Sequence, residues 1–190
     1  ILTNAHVIGE YKFIIARDSN GTFYDLDISH IDKANDLAIL QAAKITTGLP
    51  IVIDDDLKGA KVYAIGYPQP SIQGGESKIT DGIVSSMSGL RNDPRWYQIT
   101  NPIQAGNSGG PLVNEAGSVV GVVVATINAA KFLSITGDVP QNVNFAIKPE
   151  FAISAMAQVG LKPLTTTVPK KNPLKYVDEN TVLIFSRPEP

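Results

Sequence analysis

Apolar and polar residues alternate along this chain in short stretches, each closed by a turn signal. "YKFIIAR" (11–17), "FYDLDISHI" (23–31) and "LAILQA" (37–42) carry the β-branched and aromatic residues and the two-residue period of strands. "DSNG" (18–21) and "KAND" (33–36) separate them with residues that favour turns. The same pattern continues through "KVYAIGYP" (61–68), "KITDGIVSS" (78–86), "WYQIT" (96–100), "GPLVN" (110–114), "SVVGVVVATI" (118–127) and "VNFAI" (143–147). About nine strands before residue 148, with no long amphipathic helix between them, predict an all-β sandwich or barrel and argue against a parallel α/β sheet. One helix is predicted over "KPEFAISAMAQVG" (148–160), with Pro149 near its start and Gly160 at its end. The stretch from Lys162 onward mixes proline, threonine and lysine and reads as a linker or extended segment, with one candidate strand at "TVLIFS" (181–186).

Composition narrows the function classes. The chain has 190 residues, enough for one domain or two small subdomains with a sizeable core. Sixteen basic against eighteen acidic residues give a net charge of −2, which does not suggest a nucleic-acid binder or a polybasic membrane module. With no cysteine there is neither a disulfide framework nor a thiolate metal site. The longest apolar run, Val119–Ile127, is far short of the ~20 residues that cross a bilayer. The chain opens on Ile1 rather than methionine and reads as a fragment or a processed chain.

The stretch "QAGNSGGPLV" (104–113) sets a lone hydroxyl, Ser108, among glycines just ahead of an apolar strand. Such a cluster marks either a tight turn or a backbone that comes close to something, a reacting carbonyl being one candidate. A hydroxyl nucleophile needs a base, and the chain holds only two histidines. His6, between Ala5 and Val7, suits the end of a strand facing a cleft, whereas His30 sits on an alternating strand among acidic residues and reads as an ordinary strand position. The carboxylate that orients such a base has several candidates: Asp18, Asp25, Asp27, Asp32 and Asp36. Asp36 stands at the mouth of the apolar strand "LAIL", where a turn or strand cap is the competing reading. "DDD" at 54–56 lacks the alternating ligand pattern of a calcium loop and reads as a solvated acidic turn.

"LTNAHV" around His6, "DLAIL" from Asp36 and "GNSGGPL" around Ser108, in that order, resemble the three motifs of the chymotrypsin-like serine proteases, specifically the HtrA/Deg branch and its trypsin-like relatives. The resemblance covers about residues 1–160. It implies an all-β, two-barrel fold whose first barrel lacks its opening strands, closed by one C-terminal helix. The implied division is residues 1–57 for the remainder of the first barrel, 58–160 for the second barrel and helix, and 161–190 for a tail or linker.

The resemblance also implies a serine endopeptidase acting through an acyl-enzyme, with His6, Asp36 and Ser108 as the triad and the N–H groups of Gly106, Asn107 and Ser108 around the oxyanion. No metal or other cofactor is implied. Expected partners are polypeptide substrates, unfolded ones above all, rather than nucleic acid; a homotrimer and a PDZ or other domain outside this piece are family traits, as is an extracytoplasmic, periplasmic or organellar setting. A protease fold kept for binding, with its chemistry lost, is the alternative, and the presence of all three motif residues argues against it. "GNSGG" also fits the letters of the hydrolase elbow G-x-S-x-G, but that fold needs the order serine, acid, histidine and a helix after the serine.

Two departures from trypsin itself matter. Asn107 stands where the digestive enzymes carry the aspartate that pairs with a newly cut N-terminus, so control by loop rearrangement is expected instead. Pro102, six residues before the serine, offers no carboxylate at the base of the specificity pocket; with Ile103 beside it, an apolar pocket of modest size is expected.

Overall fold

The computed structural model describes residues 1–10, 13–125 and 142–187. Its strands follow the alternation of the sequence. β1 (Leu2–Thr3), β2 (Phe13–Arg17), β3 (Phe23–Asp32) and β4 (Leu37–Gln41) come first. β5 (Lys61–Gly66), β6 (Lys78–Ser86), β7 (Trp96–Ile99), β8 (Pro111–Val113), β9 (Val119–Val124) and β10 (Asn144–Ile147) follow, and β11 (Leu183–Arg187) ends the described chain. β5 to β10 close a barrel in the order β10-β7-β6-β5-β8-β9. The other strands form a curled five-stranded sheet, β1-β4-β3-β2-β11. This is the two-barrel chymotrypsin-like architecture with an incomplete first barrel.

Burial explains why each half holds. β9, "VVGVVV", is buried along its whole length and sits between the barrel interior and the other sheet. Val120 and Val123 face inward with Val62, Val84, Ile99 and Leu112, whereas Val122 and Val124 face outward onto Leu37 and Ile39 of β4. Val122, Val123 and Val124 alternate with the strand period of two, and the register shift of β9 against Leu112 and Val113 brings Val120 to the inner side as well, so one apolar run is split between two cores. Full burial of such side chains stabilises by roughly 1.5–3 kcal/mol each, so this seam fixes β4, and with it the residue that precedes it, against the barrel.

Helix α3 (Pro149–Gln158) closes the seam. Pro149, Ala152 and Ala155 are its buried residues, spaced by three, and their small side chains allow a close approach to β4 and β9. Among the described residues, three further α-helices are short: α1 (Ala5–Ile8), α2 (Pro70–Gln73) and α4 (Pro173–Glu179). α1 corrects the expectation that His6 ends a strand; β1 stops at Thr3 and His6 lies in the single helical turn that follows. α4 and β11 occupy the stretch read from sequence as a tail. Val177 of α4 is fully buried against Ile65, Val113 and Val119, and β11 pairs antiparallel with β2, Leu183 opposite Arg17 and Arg187 opposite Phe13.

Candidate active site

Asp36 enters the site from a turn that local side chains shape. Asp32 accepts the Asn35 N–H at 3.1 Å and the Asn35 Nδ2–H at 2.7 Å, the Asx geometry that starts a turn. Asp36 itself has φ 55°, a left-handed conformation that a short polar residue tolerates. Its carbonyl accepts the Ala5 N–H at 3.1 Å and the Asn4 Nδ2–H at 3.0 Å. Its carboxylate meets His6 twice: Oδ1 accepts the His6 main-chain N–H at 2.9 Å, and Oδ2 lies 2.7 Å from His6 Nδ1. Facing a carboxylate, which only accepts, Nδ1 is the donor of this contact.

Arg95, at the entry to β7, holds the same turn from the barrel side. Its Nη1 donates to the Ala34 carbonyl at 2.7 Å, while Nε and Nη2 fork onto Asp93 at 3.0 and 2.6 Å. The Arg95 fork, together with the Arg95 N–H, holds the Asp93 carboxyl well below its ordinary value, at about 2.

The serine loop is positioned by glycine. Gly106 has φ 100°, and a Cβ there would overlap the Tyr67 carbonyl oxygen. Gly109 has φ 79°, and a Cβ would overlap Thr3 Oγ1 behind the loop. No side chain but hydrogen fits either place. Main-chain bonds pin the loop on both flanks: Tyr67 N–H to the Gly106 carbonyl at 3.2 Å, Gln69 N–H to Ala105 at 3.0 Å, and Gly109 N–H to Val123 at 2.9 Å.

Ser108 Oγ accepts the Ala125 N–H at 3.1 Å. Asn107 is buried, and its N–H donates to the Gln104 carbonyl at 3.0 Å, so that hydrogen is spent inside the loop. The N–H groups of Gly106 and Ser108 have no acceptor among the described residues.

His6, Gly106 and Ser108 line one cavity of about 620 Å³ between the two halves. Asp36 stands behind His6. Among the described residues that line this cavity, none is Asp, Glu, Lys or Arg. Pro102 is exposed and Ile103 packs against the barrel core; neither lines the cavity. Asp138 and residues 126–128, the end of the predicted strand over 118–127 included, lie outside the described residues. His30 is half-buried on β3 opposite Ile39. Asp54–Asp56 are exposed, Asp54 accepting the Asp56 N–H at 3.0 Å.

The sequence of residues 1–122 matches the family described as "Trypsin-like peptidase domain". The chain belongs to the trypsin-like peptidase family. Within the family it falls in the HtrA branch. It is similar to serine protease HTRA1 of Xenopus tropicalis, 37% identical over 149 residues that cover 73% of this chain and 31% of the relative. An uncharacterized protein of Sinorhizobium fredii, y4bJ, is 36% identical over 164 residues, covering 86% of this chain and 26% of its own length. Among solved structures it resembles the serine endoprotease from Yersinia pestis, with a TM-score of 0.64, 29% identity, and coverage of 83% of this chain and 52% of the other. It also resembles the HtrA-type protease AlgW with a decapeptide, with a TM-score of 0.68, 27% identity, and 83% and 47% coverage. The chain thus spans about a third or less of these curated relatives and about half of the solved chains.

Two residues near the candidate site carry no motif signal. Arg95 and Tyr67 act through main-chain carbonyls, which any sequence offers, so only the fold makes them visible.

Proposed function

We propose that this chain is the catalytic piece of a serine endopeptidase. The observation that carries the reading is the double contact between Asp36 and His6, with His6 and Ser108 on one cavity wall. Asp36 fixes the imidazole so that Nε2 is the basic nitrogen. A substrate carbonyl carbon receives Ser108 Oγ; the new O–C bond forms as the hydroxyl proton passes to His6 Nε2. The oxyanion accepts hydrogen bonds from the N–H groups of Gly106 and Ser108, which have no acceptor among the described residues, an interaction worth about 2.7–4 kcal/mol per donor in comparable sites. The C–N bond then breaks, and His6 gives its proton to the leaving amine. Water, deprotonated by His6, attacks the acyl-enzyme and frees the carboxylic acid and the Ser108 hydroxyl.

The substrates fit an apolar site. A cavity without a carboxylate among its described lining residues cannot offset the desolvation of a Lys or Arg side chain. Aliphatic side chains before the scissile bond, exposed in unfolded polypeptide, match it. A fluorophosphonate tests the reading: it labels Ser108 in the full chain, and Ser108→Ala abolishes labelling.

A further inference from the structure

The segment beyond residue 160 lies outside the part of the chain that carries the family motifs, yet it builds the site. Asn180–Ile184 line the same cavity as His6 and Ser108. The segment is seated firmly: β11 extends β2, Val177 is buried in the apolar cluster on the outer face of the barrel, and Asp178 accepts the Ser77 hydroxyl. Thr181 is buried and caps α4 by donating its hydroxyl to the Val177 carbonyl at 2.8 Å. Its own carbonyl accepts the Tyr67 hydroxyl at 3.1 Å in a buried contact.

Tyr67 is the link to the serine loop. The residue is 4% exposed. Burial pushes the phenol above its ordinary pKa, so it is a proton donor throughout the neutral range. At the other end of the same residue, the N–H donates to the carbonyl of Gly106, and the carbonyl occupies the space that a Gly106 side chain would need. One residue therefore touches the C-terminal segment with its side chain and the loop with its main chain.

We propose that Tyr67 is a positioning residue that couples the 180–184 segment to the Gly106–Ser108 loop, so that the seated segment holds the loop in its donating conformation. The proposal rests on the serine-peptidase reading for its effect on chemistry, but the coupling itself is structural. Loss of the phenol oxygen leaves the Thr181 carbonyl buried without its donor and frees residue 67 to shift; a misplacement of ~1 Å at a reacting site costs up to about a hundredfold in rate.

The test uses the full chain and Tyr67→Phe, which removes one atom and keeps the ring. Two quantities are read: the rate of fluorophosphonate labelling at Ser108, and amide hydrogen exchange. Labelling slows by about tenfold or more. The amides of residues 67 and 69 lose protection, while those of the β2–β11 pair keep theirs, which separates a local shift from unfolding. Asp178→Ala, which loosens the seat of α4 without touching Tyr67, moves both readouts the same way. Unchanged labelling together with unchanged exchange at residues 67 and 69 in a folded Tyr67→Phe chain overturns the proposal. A full chain that the phosphonate never labels contradicts the peptidase reading instead, and the exchange measurement still decides the coupling.

Discussion

His6 Nδ1 lies 2.7 Å from Asp36 Oδ2, and the other oxygen of the same carboxylate takes the His6 main-chain N–H at 2.9 Å. Side chain and backbone of one residue are thus clamped by one group. The clamp fixes both the tautomer and the tilt of the ring. Asp36→Asn replaces one acceptor with a donor and favours the wrong tautomer, so hydrolysis is expected to fall on the order of 10⁴-fold while the fold persists. Rate and thermal melting measured on the same variant check this; a near-normal rate would mean that another acid orients the ring.

Gly106 and Gly109 make a second prediction. Each has positive φ and a would-be Cβ in overlap, with Tyr67 and Thr3 respectively. Gly106→Ala and Gly109→Ala should each destabilise the chain by about 1–3 kcal/mol and suppress phosphonate labelling. Gly21 also has positive φ but nothing within 4 Å, so Gly21→Ala carries only the backbone part of the cost. Urea melts of the three variants test the ordering; equal losses would contradict the packing argument.

Asp93 gives the pH dependence. The Arg95 fork holds its folded-state pKa at about 2, below the unfolded value. A depressed carboxyl contributes stability that is present above the unfolded pKa and is lost as pH falls through the folded one, so its share disappears between about pH 4 and about pH 2. Melting temperatures of Asp93→Asn and the parent chain should converge over that window and differ most above it. Parallel curves across the window would show that the pair is not linked to folding.

The strands were legible because their apolar positions repeat every second residue and because glycine, asparagine and proline separate them. "KITDGIVSS" matches β6 at both ends. The three proposed site residues stand out in the sequence because each sits in a short motif. α1 was not: four residues cannot show a helical period, and the turn forms because Asp36 binds the main chain of Ala5 and His6. α4 was hidden for a related reason. Its proline-rich and lysine-rich surroundings resemble a linker, and a single buried residue, Val177, seats it on the barrel. Pro102 was placed by its distance from Ser108 along the chain, yet the loop turns it toward solvent.

Specificity follows from the cavity. With aliphatic residues such as Leu2, Val7 and Val182 on its walls and no carboxylate among its described lining residues, it is expected to favour Val, Ala, Leu, Ile or Met before the scissile bond. Each apolar side chain gains roughly 25 cal/mol per Å² removed from water. Cleavage-site profiling on an unfolded protein library is expected to show that preference; a preference for Lys or Arg would refute the apolar site and leave the triad untouched.

The central claim is that Ser108 is the nucleophile of a His6-assisted acyl transfer. The most direct measurement is intact-mass and peptide mapping of the full chain after reaction with a fluorophosphonate, beside Ser108→Ala and His6→Ala. The account predicts one adduct, on Ser108, absent in Ser108→Ala and formed far more slowly in His6→Ala. An adduct on another serine, or labelling that persists in Ser108→Ala, would contradict it.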